Sequence, residues 1–282
     1  MKINIGLDIG GSTTKVVGFR DHQLLTLTMV KASDPVASTY GGIGKFLSVN
    51  QLALPDVEKV YITGVGSSCV NKDVLGLETI RVDEFQAVGL GGLYLSGLEE
   101  AIVVSMGTGT SLVHARKDRS RHIIGSGVGG GTLLGLSKAI LGISDYSLLA
   151  EMAEDGSLSN IDLSVQDLSD CPIEGLDPET TASNFGKMGD KPSQEDLALG
   201  IVNLVFQSIG TNAILAAQLR KLEDIVFVGS LAKLQAGQEC LRGFSSLYSK
   251  NIILPQDVEY ATAIGAALSG ITDKDHRWTI ED

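Results

Sequence analysis

Basic residues are in short supply in this sequence: 22 lysines and arginines stand against 34 aspartates and glutamates, for a formal charge of -12. A field of that sign repels phosphate backbones and anionic lipid headgroups, which argues against nucleic-acid and membrane-surface functions. A phosphate ligand must then be held locally, by backbone dipoles and a metal, against the global field. Cysteine is equally sparse. Cys69, Cys171 and Cys240 are odd in number and widely scattered, with no CxxC pair and no His at ligand spacing, so neither a disulfide framework nor a zinc site is expected. No stretch approaches the roughly 20 apolar residues of a membrane span, and Asp8 interrupts the one N-terminal segment that resembles a signal core. The expectation is a cytoplasmic protein. Also missing are GxGxxG and GxxxxGK[ST], the glycine fingerprints that precede a helix in dinucleotide folds and P-loops.

Proline is scarce too, at 6 residues, whereas glycine reaches 34. The glycines are clustered, in "GLDIGGST", "VGLGG", "SMGTGTS", "GSGVGGGTLLG" and "FVGS". Clusters at the ends of apolar runs mark turns where backbone approaches a ligand or another backbone closely. The 43% apolar content over 282 residues is ample for one large domain or two smaller ones.

The first segment alternates Ile3, Ile5 and Leu7, breaks at Gly10 and Gly11, and resumes through Val16 and Val17. This reads as a β-hairpin. "AIVVSMGTGTSLVHAR" repeats the layout, with Ser105 standing 97 positions after Asp8. The architecture is therefore duplicated. Strands are expected at "VEKVYITG", "LETIRVDE", "RHIIG" and "EDIVFVG", and helices from Phe85 to Leu98, from about Thr132 to Leu141, over "QEDLALGIVNLVFQSIGTNAILAAQLRKL" and over "YATAIGAALSG". The expected fold is two α/β lobes with a cleft between them, residues 1–100 and 101–272. A polar insertion at about 144–192 and a polar tail at 273–282 complete the chain.

A hairpin turn whose N–H groups point outward is a concave anion site, and two such turns would grip one nucleotide tail from both sides. Gly10, Gly11, Ser12 and Thr13 form the first turn, and Thr108, Gly109, Thr110 and Ser111 belong to the second. Asp8 precedes the first turn. An acid beside phosphate makes sense if it holds Mg²⁺, with Lys15 adding a point charge. Gly129, Gly130 and Gly131 open a helix whose N-terminal N–H groups and dipole favour phosphate, or whose bare backbone accepts an adenine plane; tight helix packing is the alternative. Gly229 and Ser230 stand at a strand's carboxyl end, where nucleosides bind. A kinase acting on an alcohol also needs a base, and Glu84, after the strand "TIRV", is the candidate. An N-cap role is the alternative for such a residue.

"DIGGSTTK", "SMGTGTSL", "GSGVGGGTLLGL" and "TASNFGK", in that order from Ile5 to about Gly270, resemble the type II pantothenate kinases of Gram-positive bacteria. The resemblance implies a duplicated actin-like ATPase (ribonuclease H-like) fold, a homodimer, and ATP-dependent phosphorylation of pantothenate to 4'-phosphopantothenate with Mg²⁺. It places nucleotide contacts at Asp8 to Lys15, Thr108, Gly127 to Gly131, Tyr146 and Ser230, and the catalytic base at Glu84 in "DEFQA". The family's substrate-facing Arg falls on His122, with Arg121 next to it. A strand turns neighbours to opposite faces, so either a bulge brings Arg121 into place or His122 serves. With Ser111 these are the expected acceptor contacts. Gln86 departs from the family's Asp. Two rivals share the fold: the iron–sulfur ATPase activator of 2-hydroxyacyl-CoA dehydratases, whose cysteine motifs are not found around Cys69 or Cys171, and an amino-sugar kinase, whose zinc cluster or acidic sugar motif is not found either.

Overall fold

The computed structural model describes residues 2–271 except 21, 32, 33, 170, 172 and 189–191; the expected tail at 273–282 and the last residue of the expected second lobe lie outside them. Alternation drives the first strands. Ile3, Ile5, Leu7 and Ile9 are all fully buried along β1 (Ile3–Ile9), which turns back antiparallel into β2 (Thr13–Arg20) with Asp8 opposite Lys15. The short β3 (Gln23–Leu24) and β4 (Thr28–Lys31) extend β2, and α1 (Pro35–Val49) crosses over to β5 (Val57–Thr63). That strand and β6 (Thr79–Arg81) lie parallel beside β1, giving the order β3-β2-β1-β5-β6.

The second sheet repeats this plan. After α2 (Glu84–Ser96), β7 (Glu100–Met106) and β8 (Thr110–Arg116) form the matching hairpin, and β9 (Ser120–Ser126) extends β8. Then come α3 (Gly130–Leu141), α4 (Tyr146–Glu154), β10 (Leu163–Ser164), α5 (Val165–Leu168), β11 (Thr181–Ser183) and α6 (Gln194–Arg220). The described residues finish with β12 (Asp224–Val228), α7 (Gln235–Tyr248), β13 (Asn251–Ile253) and α8 (Ala261–Leu268). The sheet order is β13-β12-β7-β8-β9, again a hairpin flanked by two parallel strands.

The strand exits repeat as well. Gly64 after β5 has φ 85, ψ 167 and Gly229 after β12 has φ 95, ψ 166, and each opens a short 3₁₀ turn, Val65–Cys69 and Ser230–Lys233. These are left-handed positions that glycine adopts without steric cost.

Two helices disregard the boundary at residue 100. Although α2 precedes it, Val88 and Leu93 pack on Val103, Val113 and Val226 of the second sheet. In return α8 lays Ala263, Ile264 and Ala267 on Val17 and Phe19 of the first. The pair crosses at backbone contact. A Cβ at Gly91 would sit 1.7 Å from the Ala261 carbonyl oxygen, and one at Gly265 would sit 1.8 Å from that of Ala87. This is why "GLGG" is slim, and Gly97 at φ 71 ends the helix earlier than expected.

The expectation that no segment nears the dimensions of a membrane span is corrected by α6, whose 27 residues are long and apolar enough to cross one. Here it forms the centre of the second core, with Ile201, Val202, Val205 and Phe206 fully buried. In the polar segment, α4 packs on α6, and β10 and β11 pair antiparallel. Buried Asp162 accepts from Phe185 N, Asn184 Nδ2, Thr181 Oγ1 and Asn203 Nδ2, at 2.8, 3.2, 3.3 and 2.6 Å. The "TASNF" stretch therefore solvates one buried carboxylate and ties this segment to α6.

Candidate active site

A cleft of about 910 Å³ lies between the sheets, and both hairpin turns open into it. Gly10, Gly11, Ser12 and Thr13 line one wall, with the Gly10 N–H donating to Thr13 O at 3.1 Å to close the turn. Gly107 to Ser111 line the other, closed by the Gly107 N–H donating to Gly109 O at 2.9 Å. Thr110 gives its hydroxyl to Val128 O at 2.8 Å, so this hydroxyl fixes the turn to the glycine-rich loop.

The helix start behind that loop differs from expectation. Gly130 and Gly131 donate to the carbonyls of Gly107 and Thr108 at 2.9 Å each, so these N–H groups are already partnered. A Cβ at Gly129 would meet Thr108 O at 2.7 Å. The glycines dock α3 onto the second hairpin, the packing role that composition alone left open. Gly130 and Gly131 still line the cleft, while Gly127 and Gly129 do not; Gly129 is buried against the second hairpin and Gly127 is exposed. Beside them Tyr146, held at the start of α4 by the Asp145 cap, lines the cleft with a buried hydroxyl that has no hydrogen-bond partner; burial pushes its pKa up to about 12.

At the exits of the parallel strands, Gly229 and Ser230 line the far end. A Cβ at Gly229 would reach Met106 O at 2.5 Å, so only glycine lets β12 end against β7. Glu259 and Thr262 join this end, with Glu259 accepting from Lys233 Nζ at 2.6 Å. Neither was expected from the sequence. Both stand where α8 returns, a long-range contact without local signature.

Asp8 and Glu84 face the same cleft. Burial raises the pKa of Asp8, opposed by Lys15, whose Nζ lies 3.6 Å away. Glu84 is raised by burial, then by the charges of Asp8 and Asp83. It is the first residue of α2, and the N-cap is its neighbour Asp83, which accepts from Gln86 N at 2.9 Å. The capping alternative therefore falls to Asp83. The two carboxylates share a demand for positive charge that Lys15 meets in part. A hydrated Mg²⁺ held through one carboxylate and the phosphates fits this donor set.

Gln86 accepts from the Ser120 N–H at 2.8 Å and fastens the first turn of α2 to β9. The register of β8 and β9 slips so that Leu112 faces Ile124 and Val113 faces His122, while Arg121 faces His114. The bulge thus falls at Ile123. It leaves His122 on the face toward α2, stacked on Phe85 with centroids 4.1 Å apart, and Arg121 on the opposite face. Neither lines the cleft itself, whereas Ser111 does. All three cysteines are free, with Cys69 and Cys171 exposed.

The Fumble family model matches residues 100–269, more than half of the chain. The type II pantothenate kinase of Oceanobacillus iheyensis is 31% identical, over 94% of this chain and 98% of that one. The Staphylococcus aureus (strain MRSA252) enzyme of the same name is 30% identical, over 95% and 100%. Among solved structures, the activator of the 2-hydroxyisocaproyl-CoA dehydratase from Clostridium difficile with bound ADPNP aligns with a TM-score of 0.67 at 17% identity, over 95% and 93% of the two chains. The last similarity speaks to the actin-like ATPase fold alone.

Proposed function

The chain belongs to the type II pantothenate kinase family, and from that premise we propose how its cleft works. The protein phosphorylates pantothenate to 4'-phosphopantothenate with ATP, in coenzyme A biosynthesis. The observation that carries the site assignment is the pairing of two matched hairpin turns with two carboxylates in one cleft.

In this reading the turns at Gly10–Thr13 and Thr108–Ser111 hold the β- and γ-phosphates through backbone N–H groups and hydroxyls. Gly130, Gly131, Tyr146, Gly229 and Ser230 form the nucleoside end, with Gly127 and Gly129 setting the loop behind it. Asp8 is the residue that would hold Mg²⁺, which when bound would neutralise charge on the phosphates. Lys15, 3.6 Å away, offsets part of the effect of burial on Asp8. Glu84 accepts the proton of the acceptor hydroxyl as its oxygen attacks the γ-phosphorus and the bond to ADP breaks. Its raised pKa makes it a stronger base than an ordinary glutamate. Ser111 orients the acceptor; His122, outside the cleft lining and stacked on Phe85 next to Glu84, stands at the position that the resemblance gives to Arg and positions that segment, with Arg121 on the other face of β9. The protein acts as a homodimer in the cytoplasm.

The test is ADP release with pantothenate, pantetheine, N-acetylglucosamine, glycerol or no acceptor. Release above the blank with pantothenate is expected; release equal to the blank with pantothenate, or matched by N-acetylglucosamine, would overturn the assignment. A brown anaerobic preparation with an iron chromophore would favour the activator instead.

A further inference from the structure

Val65 is 71% exposed and forms part of the cleft wall. Its position is fixed by the turn that carries it. A Cβ at Gly64 would lie 2.6 Å from Asp8 Oδ1 and 2.7 Å from Ile9 O, and one at Gly66 would lie 2.5 Å from Ile9 Cγ2. The backbone on both sides of Val65 is thus packed directly against the end of β1.

Strand order then decides what Val65 stands between. Asp8 of β1 pairs with Thr63 of β5, and Ile62 of β5 pairs with Arg81 of β6. All three strands are parallel, so the residues just beyond their carboxyl ends are neighbours. Asp8 lies on one side of the Gly64–Val65 exit and Glu84 on the other. An alcohol whose proton goes to Glu84 and whose oxygen attacks phosphorus near Asp8 spans this exit, where Val65 lines the cleft. The twin exit in the second lobe carries Ser230 at the matching position. The duplicated turn therefore presents a hydroxyl at the nucleoside end and a branched alkyl group at the acceptor end.

In pantothenate the reacting CH₂OH is attached to a quaternary carbon bearing two methyl groups. We propose that Val65 is a specificity-determining residue that receives those two methyls; the inference rests on the assignment of pantothenate as acceptor. Burying them against an exposed valine removes apolar surface on both partners from water, and does so only for an acceptor branched at that carbon.

The test compares pantothenate with its analogue lacking both methyls, on wild type, Val65→Ala and the shape-preserving Val65→Thr. Wild-type turnover of pantothenate is the first arm, and its absence would overturn the acceptor assignment and this inference with it. Given that turnover, Val65→Ala should raise KM for pantothenate about 10-fold while changing KM for the analogue less than about 2-fold. Val65→Thr should show the same bias to a smaller degree. KM for ATP and the melting temperature should hold, since the side chain is exposed and outside the nucleoside end. Equal KM changes for both acceptors, or none for either, would refute the contact and leave the kinase assignment intact.

Discussion

Gly91→Ala places a methyl group 1.7 Å from the Ala261 carbonyl oxygen, where real Cβ atoms stay beyond 3.0 Å. The obstacle is backbone in the next helix, so no rotamer change relieves it. Overpacking of this kind costs about 1–3 kcal/mol, and the contact here is severe enough to take the upper value. Replacing a mid-helix glycine by alanine returns about 1 kcal/mol of helix propensity. The net loss is about 2 kcal/mol, or roughly 3–4 °C in melting temperature for a chain of this length. Gly44→Ala is the control: it lies within α1 with nothing within 4 Å of its Cβ, and should gain about 0.5–1 kcal/mol. The functional consequence follows from position, because α2 carries Glu84 at its start. Separating α2 from α8 moves that carboxylate, so Gly91→Ala should lower kcat while KM for ATP changes little. Differential scanning calorimetry and steady-state kinetics read both effects. If Gly91→Ala stabilises the protein as Gly44→Ala does, the close helix crossing is wrong.

Two further predictions concern the charged groups of the cleft. Burial, Asp8 and Asp83 raise the pKa of Glu84, so kcat/KM should fall on the acid side at a pH above that of an ordinary glutamate. Asp83→Asn keeps the helix cap but removes one negative neighbour, which should move that acid limb to lower pH; a limb that stays put would mean that Asp83 does not act on the titrating base. Lys15→Met leaves Asp8 buried without its cation and should cost about 3 kcal/mol near neutral pH. Because the folded-state pKa of Asp8 is raised, ionisation opposes folding as pH rises through it, so the deficit should shrink when Asp8 is protonated at acid pH. Chemical denaturation at neutral and acid pH checks the sign, and a deficit that grows on acidification would contradict it.

The hairpins were legible because their signal is local. Alternating Ile3, Ile5 and Leu7 followed by glycines specifies strand and turn within a dozen residues, and "SMGTGTS" repeats the pattern in phase. The glycine block before α3 was legible as a close approach, but what approaches it is the second hairpin, which takes two of its N–H groups. No spacing rule separates a seat for a ligand from a seat for another backbone. "TASNF" marked the family in sequence yet works as a shell around Asp162, which lies far from it along the chain. Glu259 and Val65 escaped notice for a related reason: one reaches the cleft where α8 returns, the other through parallel pairing of β1, β5 and β6. The bulge at Ile123 likewise depends on pairing with β8, so the choice between Arg121 and His122 required the register itself.

Single-turnover phosphoryl transfer to pantothenate by Glu84→Gln, with nucleotide affinity measured on the same preparation, tests the central claim most directly. Removing a positioned general base costs about 10²–10⁴-fold in the chemical step, and glutamine keeps the shape while ending proton acceptance. The account predicts a loss of that size with ATP affinity within about 2-fold of wild type, because the affinity resides in the hairpin turns and the nucleoside end. Transfer at the wild-type rate would remove Glu84 from the chemistry and contradict the account.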